Sequence, residues 1–311
     1  MPEILILSKD APALAAELER QSGFPVPFRA CTSSDQALDQ YDGEKILFGR
    51  PDLIAACLPA WPAVEWVQSS WAGVEPLLAI DRRDYHLTVV KDVFGQQMSE
   101  YVLGHLLAHE LKLSKRRAHQ EARDWFQEPS GTLGGKHMGI MGTGSIGRHI
   151  ARVARSIGLT VSGLSRSGKP AEGFDSVHAV TQFEAWLRGL DYLVSTLPGT
   201  PKTSRLLDAR SLARLPAHCY LVNVGRSNVL DEAALVEALT NNKLAGAALD
   251  VFDTEPLPQD SPLWETPNLT ITAHISAVSH PSLIVPIFLE NLHRFRDGQA
   301  LKFLVDFDAG Y

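Results

Sequence analysis

Cysteine is scarce in this 311-residue sequence: Cys31, Cys57 and Cys219 are the only three. They are too few and too scattered for a disulfide framework or a zinc knuckle, and a reducing compartment, the cytoplasm, is the natural expectation. Long apolar runs are missing as well, since none approaches the roughly 18–20 residues that span a bilayer, and no membrane partner is expected. The opening Met1-Pro2-Glu3-Ile4-Leu5-Ile6-Leu7 carries no basic stretch ahead of its apolar residues. It is expected to be a first strand and not a signal peptide. An excess of cations is also absent. The formal charge is −7, which argues against nucleic acid as a main partner, because phosphate binding needs a net basic face.

What is present is ordinary globular material. Hydrophobic residues make up 45% and charged residues 21%, close to the averages that exclude wholesale disorder and fibrous repeats. A chain of this length carries a prior of about two domains. Of the 11 histidines, His105 and His109 stand one helical turn apart. In His-Leu-Leu-Ala-His-Glu the glutamate lies outside the pair, unlike the zincin pattern, so both read as helix residues and no metal is expected.

Short apolar runs alternate with helical stretches along the whole chain. Residues 4–7, 45–49, 65–68 and 87–90 are strand candidates, each bounded by glycine, proline or charge as buried parallel strands are. A long helical stretch at 97–126 ends at Pro129-Ser130-Gly131. A second series then follows at 137–141, 159–164, 176–180, 191–196, 219–224, 245–249 and 269–272, with a last helix near 281–296. The alternation predicts an α/β protein with parallel sheets covered on both faces, and the second series is long enough for a full doubly wound sheet.

Gly142-Thr143-Gly144-Ser145-Ile146-Gly147 falls between a strand and a helix expected at 146–157. In that setting the first glycine allows the tight turn, the second lets backbone approach a pyrophosphate, and the third lets helix pack on strand. The helix N-terminus offers N–H groups and the positive end of its dipole. A glycine-rich turn with no ligand is the plain alternative; a P-loop is not, because Gly135-Lys136-His137 lacks the hydroxyl residue and the upstream glycine. An NAD enzyme places an acid on the ribose 2′-hydroxyl about 20 residues into such a unit. Here no acid occurs from 159 to 171. Ser165-Arg166-Ser167 stands there instead, with Lys169 close behind. Hydroxyls and cations suit a 2′-phosphate, so NADP is the preferred cofactor and NAD a possible one, with a solvated turn as the alternative.

Three later segments carry chemistry: Asn223-Val224-Gly225-Arg226-Ser227, Asp250-Val251-Phe252-Asp253-Thr254-Glu255-Pro256 and Thr272-Ala273-His274-Ile275-Ser276. The acidic and histidine segments fall at or just beyond strand ends, where open α/β sheets bind ligands. Arg226 suits a substrate carboxylate held by two parallel hydrogen bonds. His274 suits a proton shuttle near neutral pH, with Glu255 to hold its ring. Taken singly, each has a plain reading, as a surface ion pair, a solvated loop residue or a strand-end cap.

In this order the motifs resemble those of the D-2-hydroxyacid dehydrogenases, over nearly the whole chain. Gly95-Gln96-Gln97-Met98-Ser99-Glu100-Tyr101, Ser165-Arg166-Ser167 and the tail Val305-Asp306-Phe307-Asp308-Ala309-Gly310-Tyr311 are most similar to the glyoxylate/hydroxypyruvate reductase A branch. The resemblance implies a Rossmann cofactor domain at 98–274 and a flavodoxin-like substrate domain made of 1–97 and 275–311. It implies that Arg226, Glu255 and His274 are catalytic and that Asp250 meets the nicotinamide carboxamide. Leu197, Pro198 and Thr203 would line the adenine side, with Val224 beside the nicotinamide. Trp71, Ala72, Gly73 and Val74 would form the loop whose N–H groups bind the substrate carboxylate. The implied reaction is reduction of a small 2-oxo acid to a D-2-hydroxy acid, and the implied assembly is a homodimer through the cofactor domain, with a helix near 100–125 contributing. Formate dehydrogenases of the superfamily carry glutamine where Glu255 stands, and this chain ends too early for the regulatory extension common in phosphoglycerate dehydrogenases. A dinucleotide-sensing binding protein, as in the corepressors built on this fold, is the reading from another class.

Overall fold

The structure, a computed structural model, describes residues 3–308; Ala309, Gly310 and Tyr311 of the tail motif lie outside the described residues. The chain divides into two compact units, with the boundaries after Val93 and after Val278. The expected boundaries, 97/98 and 274/275, fall a few residues inside those. A helix begins at Gly95, and its Gln97 side chain accepts from the Val278 N–H at 2.8 Å and donates to the Val278 carbonyl at 3.1 Å. That two-way bond ties residue 278 to the second unit.

The first unit holds a parallel sheet of β1 (Ile4–Leu7), β2 (Phe28–Cys31), β3 (Ile46–Gly49), β4 (Trp66–Ser69) and β5 (His86–Thr88), in the order β2-β1-β3-β4-β5. This is the flavodoxin-like order. Strands β1, β3 and β4 are buried at every position, as strands covered on both faces must be. Strand β2 is absent from the sequence expectations. It is a half-buried edge strand, Phe-Arg-Ala-Cys, whose Arg29 reaches the buried Glu44 at 2.8 Å. An arginine in four residues hides the apolar run that marks its neighbours. The helix Pro281–Arg296, entered through proline at its first turn, returns to this unit, where Phe288 stacks on Phe48 and Trp66 at 4.3 and 5.4 Å between ring centroids.

The second unit is built on β6 (His137–Met141), β7 (Thr160–Ser165), β8 (Ser176–Ala179), β9 (Tyr192–Ser195), β10 (Tyr220–Asn223), β11 (Gly246–Leu249) and β12 (Leu269–Ile271). All pairings are parallel, in the order β8-β7-β6-β9-β10-β11-β12. That is the 3-2-1-4-5-6 order of a dinucleotide-binding sheet with one further strand. Successive residues point to opposite faces. Leu193, Leu221 and Leu249 accordingly join one buried cluster, while Val194, Val222 and Ala248 join the other. The stretch expected as a single helix at 97–126 is two helices, Gly95–Glu110 and Leu113–Glu121. They part at Lys112, whose φ of 54° is left-handed, a conformation that no helix can continue through. Among the described residues no helix is long and apolar enough to cross a membrane.

Candidate active site

The order of the larger sheet reverses between β6 and β9, and a ligand in such a sheet belongs in the crevice beyond those strand ends. Strand β6 runs directly into the glycine loop, which opens the helix Ser145–Ser156. Two of its glycines are fixed by packing. A Cβ on Gly142 would stand 2.7 Å from the Thr196 hydroxyl, at a φ of +106°, and one on Gly147 would stand 2.1 Å from the Gly142 carbonyl. Gly144 differs, because nothing lies within 4 Å of its Cβ position. The space that a side chain would fill there is left open beside exposed Ser145 and the first-turn N–H groups of Ile146 and Gly147. An open cradle at a helix N-terminus fits a pyrophosphate, so the residues present suit a dinucleotide.

Strand β7 ends at Ser165, and Arg166 and Ser167 follow as an exposed turn. The Ser165 hydroxyl accepts the Gly168 N–H at 3.1 Å and the Ser167 hydroxyl accepts the Lys169 N–H at 3.4 Å. The turn is thus shaped by its own serines, while no ion pair to Arg166 occurs among the described residues. Beyond β9, the Thr203 hydroxyl donates to the Pro198 carbonyl at 2.6 Å and accepts the Thr200 N–H at 3.0 Å, which staples the loop through Leu197 and Pro198. Val224, beyond β10, is buried. A Cβ on its neighbour Gly225 would meet the Leu197 backbone at 2.7 Å.

The remaining strand ends are adjacent, β10 then β11 then β12, and carry the chemistry-bearing segments side by side. Arg226 follows β10. Its loop is held from below by Asn223, fully buried, whose side chain accepts the Gly225 N–H and donates to the Arg226 carbonyl, both at 3.2 Å. Glu255 and His274 meet: the ring N–H at Nδ1 donates to Oε2 at 2.9 Å, and Oε1 accepts the Phe252 N–H at 3.0 Å. With Nδ1 engaged, Nε2 is the nitrogen left to exchange a proton. His274 is half exposed, and its backbone is left-handed at φ 55°.

Asp250, which the resemblance implies meets the nicotinamide carboxamide, directly follows β11. It has no exposed surface, and its carboxylate accepts from the Thr272 hydroxyl at 2.5 Å and from the Ile275 and Ser276 N–H groups at 2.9 Å. It grips its own chain on both sides of His274. Neither Asn223 nor Thr272 was singled out from the sequence. The only signal was a polar residue closing an apolar strand.

In the first unit, Trp71, Ala72, Gly73 and Val74 follow β4. The Ser69 hydroxyl accepts the Trp71 N–H at 3.0 Å and donates to its carbonyl at 2.9 Å, the Arg50 guanidinium lies 4.6 Å from the Trp71 ring centroid, and Val74 is buried. The loop is therefore pinned at both ends. His105 and His109 face aromatic rings, Tyr101 at 4.4 Å and Tyr220 at 4.6 Å, as residues packed within a helix.

A parallel sheet in this order, with an open glycine cradle at its switch point, defines a dinucleotide-binding domain. Comparison with known proteins narrows the class. The family model described as the NAD binding domain of D-isomer specific 2-hydroxyacid dehydrogenases matches residues 103–276. A glyoxylate/hydroxypyruvate reductase A of Serratia proteamaculans is 35% identical over 217 residues, covering 70% of this chain and 69% of that one. A D-isomer specific 2-hydroxyacid dehydrogenase family protein of Aeromonas salmonicida has a crystal structure similar at a TM-score of 0.93, with 40% identity over 99% of this chain and all of that one (100%). An NADPH-dependent glyoxylate/hydroxypyruvate reductase of Sinorhizobium meliloti, solved with NADP and sulfate, is similar at 0.88, with 28% identity over 99% of this chain and 100% of that one. The chain belongs to the D-isomer specific 2-hydroxyacid dehydrogenase family of oxidoreductases, and its larger sheet is that family's nicotinamide-dinucleotide-binding domain.

Proposed function

We propose that this enzyme reduces small 2-oxo acids of the glyoxylate and hydroxypyruvate kind to D-2-hydroxy acids, with NADPH preferred over NADH. The observation that carries the reading is the His274–Glu255 pair at 2.9 Å, beyond β12 and β11, the two strands that follow the Arg226 strand β10 in the sheet. The names of the Serratia and Sinorhizobium relatives support the substrate class, and the bound NADP of the latter supports the cofactor. When bound, the reduced nicotinamide supplies a hydride for the substrate's C2. His274 Nε2 holds the proton that the carbonyl oxygen takes up, and Glu255 holds the ring and balances the charge of its protonated form. The Arg226 guanidinium holds the carboxylate as a planar fork and meets the charge that develops on the carbonyl oxygen. The Trp71–Val74 loop of the first unit carries backbone N–H groups of the kind that bind a carboxylate.

On the cofactor side, the glycine cradle takes the pyrophosphate, Arg166 with Ser165 and Ser167 takes the 2′-phosphate, and the Leu197, Pro198 and Thr203 loop lines the adenine. The second unit carries both the cofactor-binding residues and Arg226, Glu255 and His274. Leu107, Leu111, Leu113 and Trp125 are exposed on and after the helix Gly95–Glu110, and apolar exposure of this kind suits a face that pairs with a second copy. The test is loss of NADPH absorbance with a panel of 2-oxo acids, run beside NADH. Turnover of glyoxylate or hydroxypyruvate, faster with NADPH, is expected. No turnover of any 2-oxo acid with either cofactor contradicts the reading.

A further inference from the structure

His274 presents its ring from a left-handed backbone, with a φ of 55°, that a non-glycine residue adopts only at an energetic cost. Such a conformation persists only where its surroundings over-determine it. They do so here through one carboxylate. Asp250 Oδ1 accepts from the Thr272 hydroxyl and the Ile275 N–H, Oδ2 accepts from the Ser276 N–H, and the Asp250 carbonyl accepts the His274 N–H at 2.8 Å. The clip does not end there. Thr272 has one hydroxyl proton, and its partner Asp250 can only accept, so the proton goes to Asp250. The Tyr101 hydroxyl, 2.7 Å from the Thr272 oxygen, must then be the donor to it. Tyr101 lies on the helix Gly95–Glu110, anchored by buried Val102 and Leu106, and its ring is braced by His105 at 4.4 Å. The position of a loop at the sheet edge is thereby referred to a long packed helix 171 residues away in sequence.

We propose that Tyr101 and Thr272 are positioning residues for His274, acting through Asp250: the directed chain from the Tyr101 O–H to the Thr272 O–H to the Asp250 carboxylate sets where the imidazole stands when it delivers its proton. The proposal rests on the assignment of His274 as the proton donor. The two links are unequal. Loss of the Tyr101 hydroxyl leaves Thr272 with an unfilled acceptor, which is mild. Loss of the Thr272 hydroxyl strips Asp250 of a donor and leaves the half-buried Tyr101 hydroxyl without its acceptor, which is costlier. Burial holds the Tyr101 hydroxyl protonated, its pKa pushed up to about 12, so it remains a donor throughout the working range.

The experiment compares Tyr101→Phe, Thr272→Val and Thr272→Ser with the wild type, each also in the His274→Ala background. Displacement of a reacting group by about 1 Å costs up to roughly 100-fold in rate. The expected falls in kcat are about 10- to 100-fold for Thr272→Val and about 3- to 10-fold for Tyr101→Phe. KM and NADPH affinity should hold within about twofold, and Thr272→Ser should restore most of the rate. In the His274→Ala background the same substitutions should cost nothing further, because residues that act through one group are not additive. Additive losses in the double variants, or a kcat loss that follows a fall in melting temperature without rescue by serine, would overturn the proposal. Amide exchange at Ile275 and Ser276 reads the clip without turnover. Faster exchange in Thr272→Val supports it and unchanged exchange refutes it, even if the wild type proves to reduce no 2-oxo acid and the functional reading falls by itself.

Discussion

The ring and the backbone of His274 are held by different carboxylates, Glu255 for the ring and Asp250 for the loop. That division separates chemistry from placement. His274→Ala removes only the first, so turnover should fall by about 10²–10⁴, the range for a general acid–base group, while NADPH binding followed by fluorescence stays intact. An unchanged rate would remove His274 from the mechanism. Arg166 invites a test of another kind. It stands exposed at the end of β7 with no acid between 159 and 171. A charged hydrogen bond to a phosphate contributes about 1.5–3 kcal/mol, or roughly 10- to 150-fold in affinity. Arg166→Ala should weaken NADPH by about that factor in a binding titration and leave NADH nearly untouched, with Lys169 softening the loss. Equal loss of both cofactors would show that this turn does not read the phosphate.

The glycine loop was legible in the sequence as a motif, but only the structure separates its glycines by task. A methyl on Gly147 would collide with the Gly142 carbonyl, whereas one on Gly144 meets nothing. Gly147→Ala should therefore lower the melting temperature, since backbone must shift to admit the methyl. Gly144→Ala, at a φ of −75°, should melt like the wild type and still lose cofactor affinity. Reversed outcomes in a paired melting and binding assay would mean that the cradle is misplaced. Strands with uninterrupted apolar runs, such as Ile4–Leu7 and Gly246–Leu249, lie where the sequence reading puts them, because burial on both faces leaves no room for polar residues. Strand β2 was not legible, since an edge strand tolerates Arg29. The break at Lys112 was not legible either, because lysine favours helix and nothing in its residue type announces a left-handed backbone. Arg226, Glu255 and His274 announced themselves by residue type at strand ends. Thr272 and Tyr101 did not, as their contact exists only once the sheet and the helix have packed.

Across the whole molecule, half-buried histidines couple stability to pH. Burial pulls His105, His109 and His149 below the ordinary histidine value of 6.5. Asp250 near His105 and Glu110 near His109 oppose this, while Lys136 and Lys112 near His109 and Arg152 near His149 add to it. A depressed pKa in the folded state means that the unfolded chain binds more protons below about pH 6.5, so stability rises with pH through that window and is lost as pH falls. The melting temperature should drop between pH 7 and pH 5, and His109→Gln should flatten the drop; an identical slope would show that His109 carries none of it. The fold, the glycine cradle and the His274–Glu255 pair support the proposed transfer of a hydride to C2 of a 2-oxo acid with a proton taken from the protein. The most direct measurement supplies NADPH deuterated at the transferring C4 position together with hydroxypyruvate and locates the label in the product. Deuterium at C2 of a D-2-hydroxy acid is expected, and it should nearly vanish with His274→Ala in the same time. Product that carries no label at C2, or product of the L configuration, would contradict the account.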